Sequence, residues 1–399
     1  MDQGVLQEPQ RNDRRNKRAT LSANTRALVW ARAAGRCHFC NTLLIGDLMT
    51  GNACLNKAYI AHIVSDSPTG PRGNDKDSPR LADDPENLML LCDPHHREID
   101  GPKTRDKYST DFLQSIKQKH EQRIAIVTSI REDRSCHIVR FSAGIGKNES
   151  PVSLERVKEA LLPERYPADG NSIDLDVPDL GVADHDPRYW SLHQDLLRQK
   201  FAEKIRGRLE RGEIHRLAVF ALAPMPLLIE LGRLLSDITD AEIRQFLHEP
   251  KTWRWDDNAT QFKLNRSKPE NPKKTAAVAL KLEISAPIDD TRVQSSLDQD
   301  ASIWSLSVVG ANNDILRSPE HLRIWRQEVR SILEAIKNDH PDADILHVFP
   351  AIPLSCAVEL GRVWMPKAHL PMKIYDQNRA KGGFVPTISV IHEVGEMVR

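Results

Sequence analysis

The chain has 399 residues, 56 Lys and Arg against 56 Asp and Glu, 40% hydrophobic residues and six cysteines. This length predicts two or three domains, and the even charge balance excludes a uniformly basic nucleic-acid coat, leaving only local patches for polyanions. With no leader-like start and no apolar run long enough to span a membrane, the cysteines are expected in a reducing, cytoplasmic setting, where a Cys pair is more often metal-bound than disulfide-bonded.

In chain order, residues 1–25 form a tail whose stretch 11–18 is basic, read equally as a phosphate-binding or a solubilising arm. Cys37 and Cys40 then give a Cys-x2-Cys pair, matched by Cys92 and His95 in a Cys-x2-His pair. A two-residue spacer lets a tight turn present two side chains to one ion, so the quartet predicts tetrahedral Zn2+, against the alternative of ordinary buried thiols. Cys54, Cys136 and Cys356 lack such spacing and are expected as buried small hydrophobes.

Between the pairs, 59–64 reads as a strand, 68–74 as a loop and 87–92 as a second strand, and a helix is expected from His95 to Ile99. An amphipathic segment follows over 110–127. His62 lies on the first strand, Asn87 opens the second, and His96 directly follows the last zinc candidate.

These letters in this order resemble the HNH endonucleases over residues 26–127, which implies a ββα-metal fold with a structural zinc. The resemblance implies that His62 is a general base taking a proton from water, a task suited to imidazole as a side-chain class. It implies that His96 holds a catalytic divalent ion, Mg2+ or another, and that Asn87 positions the base across the loop. Ala61 stands where many such enzymes carry an acidic metal ligand. Asp100, four residues after His96 and so on the same helix face, is the first substitute, with Asp66 behind it; Asp100 reads equally as a surface charge or an imidazole partner. Arg72 and Arg97 are candidate DNA contacts, in a neighbourhood that also holds Arg80, Lys103 and Arg105.

A linker is expected over 128–152. Beyond it lies an internal repeat: residues 219–233 align without gaps to 348–362 at a constant offset of 129, with 7 of 15 positions identical, including Glu-Leu-Gly-Arg. Each copy reads as a buried strand (217–222; 345–351), a Pro-bounded turn and a helix, preceded by an amphipathic helix (189–211; 321–337). Two Rossmann-like halves with mainly parallel sheets are predicted, about 153–300 and 301–399, with small ligands at the carboxyl ends of the strands.

Residues 153–399 resemble the SAVED domain, two fused CARF-like units, and the pairing with an HNH module resembles the effector nucleases of CBASS anti-phage systems. The overall class is therefore α+β, with a ββα-metal domain followed by an α/β sensor. The resemblance implies degradation of double-stranded DNA switched on by a cyclic oligonucleotide, here a cyclic dinucleotide given the two halves, with a homodimer assembling to a tetramer, no membrane partner and abortive infection as the outcome. Lys251, Trp253 and Trp255 after the first repeat helix, and Lys367 and Tyr375 after the second, are the candidate ligand contacts, offering ammonium groups for phosphates and flat faces for bases. Trp253 and Trp255 read equally as alternating strand residues with one face in a core, and Arg233 and Arg362 as helix arginines that cap a neighbour. Residues 265–274 are expected as a flexible loop. Two other readings stay open: a restriction-type HNH enzyme whose C-terminal half reads DNA, and a non-catalytic zinc-binding adaptor.

Overall fold

The structure, a computed structural model, describes residues 20–46, 56–144, 152–178, 181–182, 186, 188–237, 239–256, 259, 261–269, 277–297, 300–378 and 381–391. The basic stretch 11–18 and Cys54 lie outside the described residues. The chain divides into two compact units, Met1–Arg131 and Glu132–Arg399.

The first unit opens with helix α1 (Ala23–Ala33), started by Ser22, whose side chain accepts from the Thr25 amide. It stops at Ala34 and Gly35, which both take positive φ and reverse the chain into a bridge between Arg36 and Leu43. Strand β1 (Ala58–His62), the short helix α2 (Asp77–Leu81) and strand β2 (Leu88–Cys92) follow. β1 and β2 are antiparallel, with Ala58 opposite Cys92 and His62 opposite Leu88. Leu88, Met89, Leu90 and Leu91 are all fully buried, so β2 is the centre of this unit's core, where it joins Val29 and Ala33 of α1. Helix α3 (Asp93–Asp100) leaves β2 without a spacer, helped by Pro94 in its first turn, where a missing N–H is harmless. Helix α4 (Thr110–Thr128) adds Leu113 to the same core.

Among the described residues the second unit contains two large sheets. The first is built from β3 (Ser135–Ser142), β4 (Tyr166–Pro167), β5 (Ile173–Asp174), β6 (Leu217–Leu222) and β7 (Ala241–Arg244), with helices α5 (Leu154–Leu161), α6 (Arg188–Phe201), α7 (Gly207–Glu210) and α8 (Met225–Leu235) between them. A π-helical turn, Ala202–Arg206, joins α6 to α7. The strand order is β4-β3-β6-β7, all parallel, with β5 also on β3. A two-stranded hairpin, β8 (Leu247–His248) and β9 (Lys251–Thr252), leads onward.

The second sheet runs β10-β12-β11-β13-β14-β15. Its strands are β10 (Leu264–Ser267), β11 (Ala277–Glu283), β12 (Ala301–Val308), β13 (Leu346–Ala351), β14 (Met372–Asn378) and β15 (Gly383–Val390), with helices α9 (Asp290–Gln294), α10 (Pro319–Asp339) and α11 (Leu354–Val363). The four middle strands are parallel and the two edges antiparallel. Among the described residues no helix is long and apolar enough to cross a membrane.

Three sequence expectations change here. Residues 135–142, expected inside a linker, are β3, a central strand paired with β6 from His137 to Ser142. Its sequence interleaves Ser135, His137, Arg140 and Ser142 with the buried Cys136, Ile138, Val139 and Phe141, which masks the apolar run that marks a buried parallel strand. The division between halves lies before 300, because β11 already pairs with β13 in the second sheet just as β3 pairs with β6 in the first. Residues 265–267, expected as loop, lie in the edge strand β10; 270–276 lie outside the described residues.

Candidate functional site

The first cluster is built by two turns of the first unit. Cys37 and Cys40 sit on a knuckle in which the Cys37 amide donates to Thr42 O at 3.0 Å and the Asn41 amide to Cys37 O at 2.9 Å. Asn41 closes it at φ 60°, a conformation that Asn tolerates better than most residues. Cys92 ends β2 and His95 lies in the first turn of α3, so the strand-to-helix junction itself brings the second pair together. One ligand atom from each of Cys37, Cys40, Cys92 and His95 lies within 4.8 Å of all the others. Cys37 Sγ is 3.7 Å from His95 Nδ1, and Cys40 Sγ is 3.9 Å from Cys92 Sγ. Zinc–sulfur bonds of about 2.3 Å place tetrahedral sulfurs about 3.8 Å apart, so these spacings suit a Cys3His zinc site. Burial, and then the nearby Cys37 and Cys40, push the Cys92 thiol up to about 11. The Cys92 thiol thus resists ionising unless a cation joins it, which is the chemistry of a metal site.

The second feature is a cavity of about 420 Å3 in the same unit, lined by His62, Asp66, His96 and Asp100, with Thr20 and Arg26 at its side. His62 ends β1, and its Nε2 donates to the Ala82 carbonyl at 2.9 Å, which fixes the proton on Nε2 and leaves Nδ1 as the basic nitrogen. Asn87, 3% exposed, holds the opposite side of the loop: it accepts from the Val64 amide at 2.8 Å and donates to Val64 O at 2.8 Å and to Leu81 O at 3.1 Å. Leu81 directly precedes the carbonyl that orients His62. His96 stacks on Tyr59, with ring centroids 4.6 Å apart and planes 14° from parallel. Asp100 lines the cavity with His96, one helical turn further along α3, and receives Arg72 NH2 at 2.8 Å.

Arg72, the DNA contact expected from sequence, is held within the fold. Its Nε donates to Ile63 O at 2.6 Å and NH1 to Ile99 O at 2.9 Å, so together with Asp100 its guanidinium ties the exit of β1 to the end of α3. Arg97 is exposed and pairs with Asp93 at 3.0 Å. Sequence reasoning did not point to Arg26, Thr20 or Tyr59. They lie outside the metal-ligand and histidine spacings, and only folding α1 against the strand pair brings the first two to the cavity.

In the second unit the candidate ligand residues separate. Trp253 is 4% exposed and packs edge-on against Phe220, with centroids 5.3 Å apart. Tyr375 is stacked on Phe349 at 4.4 Å and its hydroxyl lies 3.0 Å from His347 Nδ1. Trp255 is half-buried against the main core. These rings therefore pack against hydrophobic cores: Tyr375 from within β14, and Trp253 and Trp255 from just after β9. Lys251 and Lys367 are exposed. Arg233 and Arg362 each pair with the buried glutamate three residues before them, Glu230 and Glu359, both at 2.9 Å. Cys136 and Cys356 are buried and unpaired, as small hydrophobes.

Residues 197–390 match the model of the SAVED family, described as "SMODS-associated and fused to various effectors sensor domain". The second unit thus carries a SAVED domain over those residues. No curated protein matches the chain. Among solved structures, the Acinetobacter baumannii Cap4 SAVED/CARF-domain containing receptor with the cyclic trinucleotide 2'3'3'-cAAA is similar at 17% identity and a TM-score of 0.44, over 71% of this chain and 55% of that one. The same receptor without a named ligand gives 16% identity and 0.41, over 80% and 66%. The Moraxella osloensis Cap4 receptor gives 14% and 0.39, over 77% and 66%. The chain thus spans about half to two thirds of the length of these structures.

Proposed function

We propose that the chain is a cyclic-oligonucleotide-gated, HNH-type endonuclease that hydrolyses double-stranded DNA in anti-phage defence of the CBASS type. The observation that carries the nuclease reading is the cavity shared by His62 and His96 beside a zinc-compatible Cys3His cluster. The gating rests on the match of residues 197–390 to a sensor family fused to effectors.

The steps asked of the residues follow from their geometry. A water in the cavity attacks phosphorus and gives its proton to His62 Nδ1, the nitrogen left basic by the Ala82 hydrogen bond. The P–O bond to the leaving strand breaks, and that oxygen takes a proton from solvent. His96, held by Tyr59, with Asp100 or Asp66, would hold a divalent ion. The chemistry supplied by bound Mg2+ is polarisation of the phosphoryl oxygen and stabilisation of charge on the leaving oxygen. Asn87 acts as a positioning residue, fixing the loop on which the carbonyl partner of His62 sits. The zinc quartet is structural, since all four donors are already protein atoms and no position is left for water.

The activator is a cyclic dinucleotide on the two-half argument, and a homodimer becomes a tetramer when it binds, bringing nuclease sites to both strands. Incubating the full chain with Mg2+, supercoiled plasmid and a panel of cyclic di- and trinucleotides tests this. Degradation should appear with one cyclic nucleotide, and His62→Ala should abolish it while nucleotide binding persists. Cleavage independent of every nucleotide, or none under any condition, overturns the reading.

A further inference from the structure

The arginines placed by sequence around the cavity are neutralised within the fold. Arg72 meets Asp100 at 2.8 Å, Arg80 meets Asp77 at 2.8 Å, Arg97 meets Asp93 at 3.0 Å and Arg105 meets Asp106 at 3.8 Å. A guanidinium already facing a carboxylate must give up that partner before it can take a phosphate, which cancels much of the gain.

Arg26 differs from all four. It lies in the first turns of α1, is exposed, and lines the same cavity as His62 and His96. Among the described residues its side chain's one polar partner is the Leu21 carbonyl, which receives Nε at 3.3 Å; no carboxylate pairs with it. That bond anchors the inner edge of the guanidinium and leaves the two terminal nitrogens, the fork that matches two oxygens of one phosphate.

We propose that Arg26 is a phosphate-positioning residue: it clamps a backbone phosphate of the nucleic-acid strand that enters the cavity, next to the bond addressed by His62. The proposal rests on the nuclease reading and adds to it the group that seats the substrate.

The test uses the full chain carrying His62→Ala, so that DNA stays intact, and measures duplex affinity by fluorescence anisotropy across a salt series, with and without cyclic diadenylate and cyclic triadenylate. Adding Arg26→Ala should weaken binding about tenfold at low salt, the worth of one charge-assisted hydrogen-bonded contact. The slope of log affinity against log salt should become shallower by about 0.9, one phosphate fewer. Arg26→Lys should restore the slope while recovering only part of the affinity, and the melting temperature should be unchanged in both. Binding by the Arg26→Ala form equal to its parent overturns the proposal and leaves the nuclease reading standing, as does a loss seen only when residues 1–19 are deleted. A fall in melting temperature that Arg26→Lys does not repair overturns it in favour of a structural role. A parent that binds no duplex under any of these conditions overturns both.

Discussion

Gly232 in α8 and Gly361 in α11 contact each other's helices reciprocally. A Cβ on Gly232 would lie 1.8 Å from Val358 O, and one on Gly361 would lie 1.9 Å from Ile229 O. The pairs are related by the 129-residue offset of the repeat, so the contact is a local pseudo-two-fold crossing of backbone on backbone. Glycine is required at both positions because any side chain would separate the helices. The neighbouring motif residues follow the same logic. Glu230 is fully buried and accepts from Arg233 and from Arg198 Nε at 2.6 Å; Glu359, 1% exposed, accepts from Arg362 and faces Arg326 at 3.4 Å. Arg362 reaches further, to the carbonyls of Ser236, Thr239 and Ala241 beyond the end of α8. The repeated Glu-Leu-Gly-Arg is thus a device for joining two halves.

Gly232→Ala and Gly361→Ala should each destabilise the second unit by about 3 kcal/mol or more, the upper range for overpacking, since the facing oxygen is backbone and cannot rotate away. Thermal unfolding checks this, with Gly212→Ala as a control at which an added Cβ meets no atom but must sit at φ 69°. A melting point lowered no further by the crossing substitutions than by the control would contradict the tight crossing.

Zinc removal should act on stability before chemistry. The protein as purified should carry about one zinc per chain. Cys40→Ser combined with Cys92→Ser should empty the site and lower the melting temperature of the first unit, with elemental analysis and scanning fluorimetry as readouts. Both cysteines lie away from His62, so full zinc content in the double variant would show that the metal sits elsewhere.

Much of the first unit's strand and helix order was legible because its signals are local. Cys-x2-Cys and Cys-x2-His are short-range geometry, and the strand, loop, strand, helix order has few ways to fold. The repeat was legible for the opposite reason, a long identical spacing that no local rule demands. What stayed hidden depends on which face a residue turns. Trp253 and Tyr375 have the chemistry to stack a base, yet their neighbours Phe220 and Phe349 decide that they pack inward. Arg72 has the charge of a DNA contact, and its side chain is also held by two backbone carbonyls and the Asp100 carboxylate, partners that its place in the sequence does not reveal. β3 escaped because its polar residues break the apolar run that its burial implies.

Asn87→Ala should remove the acceptor of the Val64 amide and the donor to the Val64 and Leu81 carbonyls at a site closed to water. Leaving such groups unsatisfied costs about 1–3 kcal/mol. Because Ala82 follows Leu81 and orients His62, turnover should fall by a larger factor than DNA affinity does. Measuring cleavage rate at saturating DNA beside duplex binding separates the two, and an equal loss in both would make Asn87 a purely structural residue.

Arg140 and Asp174 give the second unit an acid-sensitive tie. Nε reaches Oδ1 at 2.8 Å and NH2 reaches Oδ2 at 2.7 Å, a two-pronged pair from β3 to β5. Burial alone would raise the Asp174 carboxyl, but the hydrogen bonds from Arg140 and Ser172 prevail and hold it below its ordinary value. A carboxylate depressed in the folded state contributes stability that is complete above the unfolded value, near pH 4, and is lost as pH falls through the lower folded value. The Asp174 side chain is 40% exposed, so solvent screening limits its worth to under about 1 kcal/mol. Asp174→Asn should therefore melt slightly below the parent at pH 7, and the gap should narrow as the pH falls through the unfolded carboxylate value and below it. Melting curves from pH 3 to 7 decide it: a gap that widens toward acid would reverse the sign and remove this pair from the acid response.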